Sequence, residues 1–234
     1  GGSAVSNTDG SITSSVSANT EAGFSIVSYT GTASADTVGH GLSKAPELVI
    51  WKDRDTAVNW LVQGDVMGAA ASGYIMLLNS TGSSYANANF NTTLGASTIT
   101  LDAGGTNYNG NGKDTVAYCF HSVDGYSKVG SYTGNGSSDG AFVYTGFRPA
   151  WLMVKNSGAS HSWRLWDSKR EPENVASKYL TPDSSSAEGS INIDVDLLSN
   201  GFKMRNTNGS INASSNSYIY LAFAEQPFKY SNAR

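Results

Sequence analysis

Three histidines, a scatter of carboxylates and a large stock of aromatic rings are the side chains here that could do chemistry. His40, His121 and His161 stand in unrelated contexts, with no Cys, Asp or second His at the spacing a metal site needs. They imply neither a metal nor a cofactor. The acids Glu47, Asp53, Asp55, Asp65, Asp102, Asp114, Asp167 and Asp194 matter more, because two facing carboxylates on a β scaffold can cleave glycosidic bonds. The nearest approaches to such a pair are Asp53-Arg54-Asp55 and Asp194-Val195-Asp196. The first reads as a solvated turn with local ion pairs. In the second, the alternation of Ile193, Val195 and Leu197 puts both acids on a wet strand face. Asp139, in GNGSSDG, could ligate calcium through oxygen, but the segment lacks the acidic density of a dedicated loop. There is no G-x-S-x-G elbow, phosphate loop or dinucleotide fingerprint. The sequence assigns no catalytic residue.

The aromatics, 12 Tyr and 5 Trp, are the other route to function, since they can stack on sugar rings or on a partner protein. A repeat within the chain sorts them. SYTG occurs at Ser28–Gly31 and again at Ser131–Gly134, and at the same offset of 103 positions Pro46 meets Pro149, Lys52 meets Lys155 and Trp60 meets Trp163. A Trp kept at equivalent places in both halves is explained by shared packing, so Trp60 and Trp163 read as core. Trp51, Trp151 and Trp166 differ between the halves, as do the loop residues Tyr85 and Tyr108; these five are the expected contacts for a ligand or partner. Lys52 and Lys155 each end an apolar run, where the stem can lie over apolar surface and keep its charge in water.

These side chains must be carried by strands. The register persists where Leu77 meets Leu180, Ile99 and Leu101 meet Phe202 and Met204, and TVAYCF (Thr115 to Phe120) falls on YIYLAF (Tyr218 to Phe223). The economical reading is one unit copied head to tail: an extension or edge strand over 1–23, a first copy over 24–125 and a second over 126–234. Each copy runs through short strands with Gly, Ser and Asn turns, and the expected fold is all-β: two tandem, internally duplicated antiparallel β-sandwich modules of jelly-roll-like type. LVIW and WLMV lack clean alternation and are expected as central strands covered on both faces. The loops GGTNYNGNGK and NTNGSINASS read as hairpin turns leading into the closing strands. Only SKREPENVASKYL is a candidate for a helical turn.

Composition agrees. Charged residues are 15 % and apolar residues 39 %, with 26 Gly and much Ser, Thr and Asn, which suits turns and strand faces rather than helices. A net charge of −4 with no dense Lys/Arg block leaves no footprint for nucleic acid. No apolar run approaches the roughly 18 residues of a spanning helix, so membrane insertion is not expected. The lone Cys119, in VAYCF, reads as a small buried hydrophobe.

The runs GFSIVSYTGTASADTVGHGLSKAPELVIWKDRDTAVNW and GYSKVGSYTGNGSSDGAFVYTGFRPAWLMVKN, with SSSAEGS, LSNGFKMRN and YIYLAFAEQPF, resemble a repeated domain of unknown function in virion and tail-associated proteins of marine tailed bacteriophages. The resemblance implies a non-enzymatic module on the virion surface (tail fibre, appendage or capsid decoration) serving particle structure and host attachment. It also implies other virion proteins as partners and a homo-oligomer, with a trimer favoured. A lectin-like domain that grips host surface glycans is the alternative. A glycan-degrading enzyme ranks third, because no acid pair has convincing spacing.

Overall fold

The apolar runs become the middles of sheets. The computed structural model describes residues 2–67, 73–87 and 90–225. The chain divides into two units, Gly1–Leu78 with Tyr85–His121, and Asn79–Ser84 with Ser122–Arg234.

Unit 1 contains β1 (Val5–Asn7), β2 (Ser14–Asn19), β3 (Phe24–Thr30), β4 (Asp36–Gly39), β5 (Leu48–Asp53), β6 (Leu61–Gly64), β7 (Tyr74–Leu77), β8 (Tyr85–Ala86), β9 (Thr98–Leu101) and β10 (Asp114–Phe120). One sheet has the order β1-β2-β3-β10-β5-β6-β7-β8, and β4 pairs with β9 in a second. In β10, strict alternation buries Thr115, Ala117 and Cys119 on one face. They meet Val27, Val49, Trp51 and Leu61 from the large sheet and Val38, Ile99 and Leu101 from the small one, which makes the unit a β-sandwich. The Cys119 thiol is pushed up to about 12 by this burial.

Unit 2 contains β11 (Ser127–Thr133), β12 (Phe142–Tyr144), β13 (Pro149–Asn156), β14 (Arg164–Asp167), β15 (Val195–Leu198), β16 (Gly201–Met204) and β17 (Ser217–Ala224). Its sheets run β11-β17-β13-β14 and β12-β16-β15. Leu152, Val154, Trp166 and Tyr218 from the first face Val143, Val195, Phe202 and Met204 from the second. The strand pairs of both units are antiparallel; in β5, between β10 and β6, Leu48, Val49, Ile50 and Trp51 are all buried, as expected of a strand covered on both faces.

Several registers recur at the offset of 103. Ser28 pairs with Val116 as Ser131 does with Ile219, Lys52 with Val116 as Lys155 with Ile219, and Ile50 with Val62 as Met153 with Leu165. Between the strands the offset drifts: Thr37 pairs with Thr100, and Phe142 with Lys203, two residues longer on one side.

Three expectations are corrected. The loops before β10 and β17 do not close hairpins: β9 pairs with β4 while β10 pairs with β3 and β5, so the loop arches between the two sheets. No α-helix occurs among the described residues, and residues 168–180 form turns and isolated bridges; the single helical turn is the 3-10 turn Asp65–Met67. Of the two alternatives for residues 1–23, β1 and β2 take that of edge strands of the unit 1 sheet, and Asn79–Ser84 groups with unit 2. Lys155 does not keep its charge in water. It is fully buried, with Nζ donating to Thr81 O at 3.2 Å and Asn156 O at 3.0 Å, because the Asn79–Ser84 segment lies across the end of its strand.

Candidate functional site

An arch loop and a strand-end turn define a cleft on unit 1. The loop 102–113 is built around Asn109, which is fully buried. Its Nδ2 donates to Ser34 O at 2.8 Å and Asp102 O at 2.9 Å, and its Oδ1 accepts the Thr32 amide at 3.0 Å. The Tyr29 hydroxyl donates to Tyr108 O at 2.5 Å. Gly31 is required here because a Cβ would stand 2.5 Å from Gly110 O. Unit 2 repeats the plan. Tyr132 donates to Ile211 O at 2.6 Å, the Asn135 amide donates to Asn212 Oδ1 at 3.0 Å, and Asn212 Nδ2 donates to Ser137 O at 2.8 Å.

The turn after β5 is fixed by Asp53. Its Oδ1 accepts the amides of Asp55 at 2.8 Å and Thr56 at 2.9 Å, and Lys52 Nζ donates to Thr56 O at 3.2 Å and Val58 O at 2.9 Å. Between this turn and the arch lies a hollow of about 350 Å³, at the small end of the range for ligand sites. Asp53, Thr56 and Val58 line one wall, and Thr106, Asn107, Gly110, Asn111 and Lys113 the other. Asp53 is 1 % exposed. Burial by itself would raise its carboxyl, but the Thr56 hydroxyl, the two amides and the Lys113 ammonium outweigh it and hold the group below the usual carboxylate range. The cleft is therefore lined by one fixed and nearly buried anion with the Thr56 hydroxyl bonded to it, one cation, two side-chain amides, the Thr106 hydroxyl and an apolar patch at Val58.

The same place in unit 2 is built differently. Asn156 stands at the position of Asp53 and does the same work, its Oδ1 accepting the amides of Gly158 and Ala159, each at 2.9 Å. Its Nδ2 also crosses to the arch, donating to Gly209 O at 2.8 Å. His161, at the position of Val58, lies over Gly209, where a Cβ would come 2.7 Å from its Nε2. Lys113 is replaced by Asn216.

Of the five aromatics expected to touch a ligand, the structure buries three. Trp51 is fully buried in the unit 1 core, edge-on to Phe90 at 5.5 Å, and Tyr108 is 2 % exposed beside it. Trp166 is fully buried in unit 2 with Nε1 donating to Ile193 O at 3.4 Å. They differ between the halves because the cores are filled differently. The indole enters from β5 in unit 1, where Gln63 occupies the place of Trp166, and from β14 in unit 2, where Val154 occupies the place of Trp51. Trp151 is half-buried against Phe223 at 5.7 Å, and Tyr85 is exposed on β8; neither lines the cleft. The shared pair also splits: Trp163 is buried, while Trp60 is half-buried and stacked on Tyr118.

The other candidates serve the framework. His40 is fully buried, its Nδ1 accepting the Leu42 amide at 3.1 Å. Asp139 pairs with Lys203 at 2.5 Å and Asp196 with Arg205 at 3.5 Å. The Asp139 carboxyl is held low first by its hydrogen bond from Lys203. Sequence reading overlooked Thr56, Val58, Thr106, Asn107, Asn111 and Lys113. The signal was there at the offset of 103, where the charges of Asp53 and Lys113 stand opposite the neutral Asn156 and Asn216.

A family model described as a domain of unknown function (DUF7483) matches residues 1–227. No curated protein matches, and no solved structure does.

Proposed function

We propose that this chain, which belongs to the DUF7483 family, is a non-catalytic attachment module on the surface of a phage particle, a tail fibre, appendage or capsid decoration that binds the host through the unit 1 cleft. The observation that carries the reading is the state of Asp53. A carboxylate that is 1 % exposed, with its Oδ1 tied to two amides and its proton held off, is fitted to hold the turn and set the charge of the cleft wall rather than to exchange a proton with a ligand. Around it, the Asn107 and Asn111 side chains have no hydrogen-bond partner among the described residues, and both can reverse as donor and acceptor. The virion setting comes from the resemblance of the repeated runs to tail-associated phage proteins, and with it a symmetric homo-oligomer, a trimer first, assembled with other virion proteins.

Purified, fluorescently labelled chain incubated with host cells tests this reading. Saturable binding without release of reducing sugar from host polysaccharide is the expected result. Release of sugar that is lost on changing Asp53 to Asn would replace attachment by hydrolysis. Native mass measurement tests the assembly, for which a monomer at micromolar concentration would remove the trimer.

A further inference from the structure

We infer that the unit 1 cleft takes a neutral sugar of one or two rings, and that each chain carries one such site because unit 2 has closed its own. The inference rests on the attachment reading and adds the ligand class. Three observations lead to it.

The first is that the framework does not need the charges. Asn156 caps its turn through the same two amide bonds that Asp53 makes, so the amide suffices for folding. An amide makes the same two bonds without bringing a charge into the turn, so the charge at Asp53 calls for a use beyond the turn. The second is that the exchange decides whether the cleft is open. Asn156 Nδ2 bridges to Gly209 O across the gap, and a carboxylate has no hydrogen to donate to the matching Thr106 carbonyl. His161 lies against Gly209 in unit 2, whereas beside the shorter Val58 unit 1 has a hollow of about 350 Å³.

The third is the chemistry of the walls. Asn107 and Asn111 can donate to and accept from sugar hydroxyls, and Lys113 donates to ring and hydroxyl oxygens, beside the nearly buried Asp53 carboxylate that balances its charge. Val58 and the Lys113 stem offer an apolar surface to C–H groups. One negative and one positive side chain leave the lining without net charge, which suits a neutral sugar over a uronate. With no aromatic ring in the lining, affinity for a free sugar falls in the millimolar range, on the order of −4 kcal/mol, and useful attachment then depends on several copies acting together.

The test is calorimetric titration of the full chain with D-glucose, D-galactose, N-acetyl-D-glucosamine, maltose and D-glucuronate. At least one neutral sugar binds at one site per chain, and glucuronate binds more weakly or not at all. Asp53→Asn weakens binding tenfold or more in a chain that is still folded at the titration temperature. The double change Val58→His with Thr106→Gly, which copies the unit 2 closure while keeping the carboxylate, abolishes binding; His161→Val leaves the unit 1 titration unchanged. Two equal sites per chain, tightest binding of glucuronate, no binding of any panel sugar, or indifference to both Asp53→Asn and the closure variant would each overturn the inference. Host-cell binding that persists in those variants leaves attachment standing and removes the cleft. Sugar binding by a chain that ignores host cells does the reverse.

Discussion

Two residues at strand ends show how an offset of 103 can hide a difference in electrostatics. Asp53 and Asn156 hold the same turn, but only the first titrates. Because its folded carboxyl lies below the unfolded value of about 3.9, its contribution to stability is complete above that value and is lost as pH falls through the folded one. Equilibrium unfolding from pH 6 to pH 2 should show a steeper loss in wild type than in Asp53→Asn, and parallel curves would contradict the assignment. Lys155 carries the opposite sign. Burial pulls its ammonium down to about 8, against a partly opposing Asp183 carboxylate. The unfolded chain thus holds more protons between about pH 8 and about 10.4, and stability rises with pH across that window. Lys155→Met should remove this rise, and the difference between the two unfolding curves over pH 7 to 10 reports it. The sequence could not place either group: the burial of Lys155 depends on Asn79–Ser84, distant in the chain and invisible to any local pattern.

Arch loops are the elements that position the cleft, and here sequence reading went astray for a definite reason. Asn-Gly pairs in GGTNYNGNGK suggest a tight hairpin, yet Asn109 spends its side chain on Ser34, Asp102 and Thr32, holding the loop open between two sheets. Asn109→Ala removes two donated bonds and one accepted bond from a dry site and should destabilise unit 1 by about 2–4 kcal/mol, measured by denaturant unfolding. A loss under about 0.5 kcal/mol would mean that the loop is held by something else. Strands, by contrast, were legible. Cys119 in VAYCF and the unbroken LVIW are buried as their apolar settings imply, since both depend only on which neighbours cover a face. The size exchange of Trp51 and Val154 against Gln63 and Trp166 is not legible, because a difference between the halves marks compensating core volume as readily as surface.

At the scale of the molecule, two sandwiches that share several strand registers carry different surfaces, and the sequence repeat that points to the architecture conceals the candidate site. Several registers and arch bonds agree between the units, while strand number, core filling and the side chains around the cleft differ. Attachment through unit 1 alone predicts that a phage particle carrying the Val58→His, Thr106→Gly protein assembles normally and adsorbs poorly, read by particle yield against adsorption rate. Failure of assembly with sugar binding intact would place the module in particle structure instead.

The most direct measurement is amide chemical-shift mapping of the isotope-labelled chain during titration with the neutral sugar that binds. The cleft account predicts shifts confined to residues 53–58 and 104–113, with residues 156–161 and 207–216 unmoved. Equal shifts at both sets, or shifts centred elsewhere on either unit, would contradict it.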